Sequence, residues 1–255
     1  MNSRILLGAL VGATALVAIP SAADAAATCS YSPSTRTMTA TYSAGDSALT
    51  VRNGQFLQIS ENGVSFRNCG AATAANTDSV VVRGPSGQGA AQQTTTIDER
   101  SGGDFAESNP KLHFTVFTGT NDRLVIREGG FLDAMHLMDQ SGLALGPAID
   151  LDYDGDIDIR MTTGSDSIVQ VNGGGGADFI DATSVRTYHT VQVGEAGNDA
   201  LLGGHLSDSF DGGPDQDTIR AKDGIAESVK GGTQVDDGTF DFNLDQLNSI
   251  ERPGF

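Results

Sequence analysis

The chain has 255 residues, with 33 Asp and Glu against 15 Lys and Arg, a formal net charge of −18 and 33 glycines. A chain this acidic has no basic patch with which to release counter-ions from phosphate, which argues against nucleic-acid binding and against direct binding to anionic lipid. From Asp150 to the end there are 21 acidic and 6 basic residues, a net of −15. A half-chain that repels itself and is rich in turn-forming glycine reads as a cation sink.

In chain order, residues 1–25 have the pattern of a secretory signal peptide. Arg4 precedes a short apolar stretch from Ile5 to Ile19, Pro20 ends it, and Ala23-Asp24-Ala25 is an A-x-A cleavage site. The stretch is short for a membrane span, and no second apolar run of spanning length follows. The expected product is soluble and secreted, either extracellular or at the cell surface. Its two cysteines, Cys29 and Cys69, are then expected to pair. The four histidines are scattered, and no C-x-x-C occurs.

From Cys29 to about Phe131 the chain reads as short strands with turns. The expected strands are Thr37–Tyr42, Ala48–Val51, Phe56–Ile59, Val64–Phe66, Val80–Val82, Thr94–Ile97, Leu112–Phe117 and Leu124–Ile126, with loops at Gly84–Gln93 and Ser101–Pro110. The best short helix candidate is Phe131–Met138. Gly119–Leu124 and Gly164–Ile168 each carry a glycine, an aspartate and an apolar residue in the order that later repeats use. Asp150-Leu151-Asp152-Tyr153-Asp154-Gly155-Asp156-Ile157-Asp158 resembles the first half of a calcium loop. Asp150, Asp152 and Asp154 stand at its first, third and fifth positions, but Met161 stands where the closing glutamate belongs.

The most regular segment comes next. Gly173-Gly174-Gly175-Gly176-Ala177-Asp178-Phe179-Ile180-Asp181 fits the nonapeptide G-G-x-G-x-D-x-U-x at every fixed position. Residues 194–202 lose the second glycine to Glu195, residues 203–211 carry Leu206 at the fourth position, and residues 212–220 carry Asp215 there. Ile180, Leu201, Phe210 and Ile219 hold the apolar position. Asp199, Asp208 and Asp217 recur every nine residues, whereas Asp178 and Asp199 are 21 apart, which predicts a break of register between them.

If two nonapeptides make one turn, residues 18 apart stack. Asp199 and Asp217 then bracket one metal site together with backbone carbonyls of Gly194–Gly197 and Gly212–Asp215. Gly203 and Asp208 belong to the opposite edge, where Asp208 would face Ala226 or Thr190. A second site is expected around Gly173, Gly174, Gly176, Asp178 and Asp181. Aspartate supplies the hard anionic oxygen that Ca²⁺ prefers.

These repeats resemble the hemolysin-type calcium-binding (RTX) family. Asp217–Gly232 resembles the D-x-I-x-A-x-D-G-x-x-D-x-V-x-C-G ending of many secreted repeat proteins, with Glu227 in place of aspartate and Gly231 in place of cysteine. The likeness covers about 173–232. It implies an extracellular calcium-binding solenoid and no particular activity, since the repeats occur in proteins of many functions.

The expected fold is all-β. A β-rich region at 26–118, pinned by the disulfide, leads into a parallel β-roll or β-helix solenoid at 119–255. No G-x-S-x-G, H-E-x-x-H or phosphate loop is present, so the expectation is a binding protein and not an enzyme. The expected function is calcium binding that folds or rigidifies the solenoid. The alternative is a calcium-stapled adhesin or matrix protein with a cell-surface or polysaccharide ligand, ahead of a calcium-dependent polysaccharide-acting enzyme.

Overall fold

The computed structural model describes residues 27–42, 48–84, 92–100, 105, 111–117, 122–130, 133–140, 146–162 and 166–254. The expected signal peptide, most of the two expected loops and the first residues of both glycine–aspartate echoes lie outside them.

Among the described residues, all regular structure but one 3-10 turn (Ala74–Asn76) is β-strand. The strands are β1 (Thr28–Ser32), β2 (Thr37–Thr41), β3 (Ala48–Arg52), β4 (Gln58–Ser60), β5 (Arg67–Asn68), β6 (Ser79–Arg83), β7 (Thr94–Asp98), β8 (His113–Phe117), β9 (Arg123–Arg127), β10 (Ala134–Asp139) and β11 (Pro147–Asp150). They continue as β12 (Ile159–Thr162), β13 (Ile168–Gly175), β14 (Phe179–Asp181), β15 (His189–Ala196), β16 (Ala200–Leu202), β17 (Ser209–Pro214), β18 (Thr218–Arg220), β19 (Ser228–Thr233), β20 (Asp237–Thr239), β21 (Gln246–Asn248) and β22 (Arg252–Gly254). Period-two patterning explains the early ones. Met38 and Ala40, Val80 and Val82, and Phe114 and Val116 are buried while their neighbours are only partly covered.

Two expectations fail locally. Val64–Phe66 is not a strand, because the Asn62 side-chain oxygen takes the Val64 and Ser65 amides and holds a turn. The helix candidate at Phe131–Met138 is strand β10 from Ala134 onward, with Met135 and Leu137 inside. Alternation at period two, not 3.6, governs that segment.

The strands form two sheets. One runs β1-β2-β6-β8-β12-β11-β10-β14-β16-β18-β20-β22, and the other β21-β19-β17-β15-β13-β9-β7-β3-β4-β5. The chain passes from one sheet to the other and back, and most strands pair in parallel with a counterpart one circuit earlier, as in β14–β16–β18 and β13–β15–β17. The result is an all-β, solenoid-like fold whose core lies between the sheets.

Among the described residues antiparallel pairing occurs in three places: β1 on β2, β3–β4–β5, and β10–β11–β12. The first two form the N-terminal edges of the sheets, one of which ends on the two-residue strand β5, and so short an edge offers little backbone to another chain. Cys29 on β1 and Cys69, just after β5, form the expected disulfide and tie those two edges together.

Circuit length is irregular up to β13 and nearly constant beyond β15. Paired residues are 46 apart at Ala48 and Thr94, 29 at Thr94 and Arg123, 45 at Arg123 and Ile168, 21 at Ile168 and His189, 18 at Val191 and Ser209, 19 at Ser209 and Ser228, and 18 at Ser228 and Gln246. The three extra residues between Asp178 and Asp199 do not break the register as the sequence suggested. The chain absorbs them at 182–188, where Ala182, Val185 and Tyr188 turn inward, and both flanking strand pairs stay aligned.

Candidate metal centre

After each of β13, β15, β17 and β19 the chain turns within a few residues and enters the facing sheet. Each turn places two residues in the left-handed region: Gly174 and Gly176, Glu195 and Gly197, Gly213 and Asp215, Gly232 and Gln234. The conformation survives where glycine has been replaced. Glycine is indispensable at 197, where φ is +136° and a Cβ would lie 1.3 Å from the Gly176 carbonyl oxygen.

The turns line up a column of inward aspartates. Asp178, Asp199, Asp217 and Asp236 are each no more than 2% exposed. Asp178 donates its backbone N–H to Asp199 Oδ1 at 2.8 Å, Asp199 to Asp217 Oδ1 at 2.9 Å, and Asp217 to Asp236 Oδ1 at 2.9 Å. Asp133 N–H reaches Asp178 Oδ1 at one end, and Asp236 N–H reaches Glu251 Oε2 at the other. The column therefore crosses every circuit from β10 to β22.

Each aspartate uses one oxygen this way. The other, Oδ2, is buried and accepts no hydrogen bond in Asp178, Asp199, Asp217 and Asp236. It lies over the glycine five residues earlier. A Cβ would be 2.3 Å from Oδ2 at Gly173, 2.1 Å at Gly194, 2.2 Å at Gly212 and 2.5 Å at Gly231. The same imagined Cβ would meet the carbonyl oxygen of Gly194, Gly212, Gly231 or Ser249 on the next circuit, at 2.9, 2.6, 2.5 and 2.1 Å respectively. Glycine at the start of each repeat thus makes room for a carboxylate, and the carboxylate shares that room with a carbonyl oxygen. Four partnerless carboxylate oxygens in a buried column are costly when ionised unless a cation compensates them.

Burial pushes the Asp178 carboxyl up to about 6 and Asp217 to about 7, and raises Asp199 and Asp236. The amide bonds pull the other way. For Asp178 and Asp217, the charge of neighbouring column members adds to the upward push.

No protein-family model, curated protein or solved structure matches this chain.

Other expected residues fall elsewhere. Asp181 turns away from Asp178 and accepts from Thr183 and Tyr153. Gly203 and Asp208 stand on the opposite edge, and Asp208 is satisfied on both oxygens, by Thr190 N–H and Gly204 N–H. Its neighbour on the following circuit is Glu227, not Ala226, because that circuit holds 19 residues.

In the acidic loop, Asp150, Asp152 and Asp158 bring carboxylate oxygens within 4.8 Å of one another. Asp150 is spent on the Asp154 and Gly155 amides, and Asp158 on Leu151 N–H. The Lys111 ammonium stands among the rest, 3.1 Å from Asp152, 2.9 Å from Asp154 and 3.5 Å from Asp158. The protein supplies this loop with its own cation.

A second acidic group, Asp223, Glu227 and Asp241, also brings carboxylate oxygens within 4.8 Å of one another. Sequence reading missed this group, Lys111 and Asp236. The signal for Asp236 was present: Gly231-Gly232 followed by an acid at the repeat's sixth position.

Proposed function

We propose that the protein is a secreted calcium-binding β-solenoid of the hemolysin repeat type. In this reading Asp178, Asp199, Asp217 and Asp236, with turn carbonyls of the Gly194–Gly197 and Gly212–Asp215 segments, hold Ca²⁺ between successive circuits. The observation that carries it is the column of four buried Oδ2 atoms with no donor. The donor set is all hard oxygen, which suits Ca²⁺ over the transition metals. The ion would supply the positive charge that lets the carboxylates ionise inside the fold.

The chain's own residues do the rest. Glycines at the repeat starts admit the carboxylates, the amide ladder aims one oxygen of each, and left-handed turn residues set the carbonyls. Without compensation the stacked charges loosen the circuits, and with it they close, so metal binding becomes folding free energy. The Cys29–Cys69 disulfide fits an oxidising compartment.

Thermal unfolding of the metal-free protein, with and without millimolar calcium, tests this. Calcium should raise the midpoint, and an Asp199→Asn, Asp217→Asn double variant should lose most of that rise. Equal stability of the wild type in both conditions would refute it.

A further inference from the structure

Glu227 is 4% exposed, and neither of its side-chain oxygens accepts a hydrogen bond. It stands at the start of β19, on the edge opposite the aspartate column. Asp223 lies in the same connection after β18, and its Oδ2 is also buried without a donor. The next circuit repeats the arrangement 18 residues on, with Asp241 matching Asp223 and Asp245 matching Glu227. Backbone amides cross between the two connections. Asp223 and Gly224 donate to Asp241 Oδ2, Glu227 donates to Asp245 Oδ1, and Asp241 donates to Asp245 Oδ2.

The amides thus occupy Asp245 and one oxygen of Asp241, and leave Glu227 and Asp223 Oδ2 facing the space between. Oxygens of Asp223, Glu227 and Asp241 lie within 4.8 Å of one another. Among the described residues no lysine, arginine or histidine pairs with any of these four carboxyls. The Asp150 loop has the same density of acid, but Lys111 fills it. The difference separates a loop that brings its own cation from one that does not.

We propose that Asp223, Glu227 and Asp241 form a distinct calcium site that clamps the last two circuits together on the edge away from the aspartate column. Three or more carboxylates in loose geometry suit Ca²⁺ better than Mg²⁺, which demands a near-ideal octahedron and keeps its waters. The competing occupant is a proton shared between Glu227 and the Asp245 carboxyl beside it.

Hydrogen exchange of the full chain, in calcium and in chelator at pH 7.5, decides between them. Amides of 222–246 should slow at least tenfold in calcium. Glu227→Gln, and separately Asp223→Asn, should remove that slowing while amides of 190–217 keep their own calcium response. Equal exchange of wild-type 222–246 in both conditions would overturn the proposal, as would calcium protection that persists in Asp223→Asn. If Glu227→Gln fails to fold, the wild-type and Asp223→Asn results still decide. A response at 222–246 with none at 190–217 would uphold this site and sink the aspartate-column reading.

Discussion

Replacing Asp217 by asparagine separates a structural aspartate from a metal ligand. Asparagine keeps the shape and keeps an oxygen for the Asp199 N–H, but carries no charge. Burial moves the Asp217 carboxyl from 3.8 to about 7, and at about 1.36 kcal/mol per pH unit that gap opposes ionisation by roughly 4 kcal/mol. Water entry and relaxation of the turn reduce that ceiling, so we expect the calcium-free variant at pH 8 to gain about 2 kcal/mol over wild type. For a chain of this size that is a rise of roughly 4–8 °C in Tm.

In calcium the order should reverse. Wild type gains about 4.1 kcal/mol when the ion stands at a thousand times its dissociation constant, and the variant should keep less than a third of that gain. Calorimetry of both proteins at pH 8, in chelator and in calcium, reads both effects. If Asp217→Asn shifts Tm equally in the two conditions, the carboxylate holds no calcium, and the reasoning is wrong.

Gly212→Ala should cost about 3 kcal/mol or more, because its Cβ would sit 2.2 Å from Asp217 Oδ2 and 2.5 Å from the Gly231 carbonyl. Gly224→Ala has open space around it and pays only for its φ of +90°, so its Tm should fall far less. Calcium-free wild type should lose stability between about pH 4 and pH 7. Asp178 and Asp217, raised to about 6 and about 7, hold their protons longer folded than unfolded, so that stabilisation vanishes as the pH climbs through those values. A Tm that rises over the same window would contradict this. Lys111→Met should cost about 2 kcal/mol in chelator, between the ranges for exposed and buried pairs. Added calcium should restore it by entering among Asp152, Asp154 and Asp158, and failure to restore would show that the loop cannot accept the ion.

Local pattern carried much of this structure. Alternation of apolar residues marked most of the early strands, and the spacing of Gly173, Gly194 and Gly212 from Asp178, Asp199 and Asp217 marked the column. Two of the misses share a cause: they depend on how many residues each circuit holds. Asp208 meets Glu227 because one circuit has 19 residues, and Asp178 stays in line because 182–188 folds inward. Lys111 reaches the acidic loop only because β8 pairs with β12, putting Phe114 beside Ile159, a long-range match that no short window contains. Asp236 escaped because Gln234 and Gly238 stand where its repeat should carry glycine and an apolar side chain.

Strands β11 and β12 have no counterpart in the facing sheet, where β9 pairs directly with β13. At about 4.8 Å per strand, one side of the protein is longer by roughly 10 Å at that level. Circuits on either side of this wedge stack directly in one sheet only, through β9 and β13, and nearest-neighbour stacking is what makes repeat arrays melt as one. The wedge is therefore a fault line. Stripped of calcium, the circuits after it should melt first, while the disulfide-tied circuits before it hold.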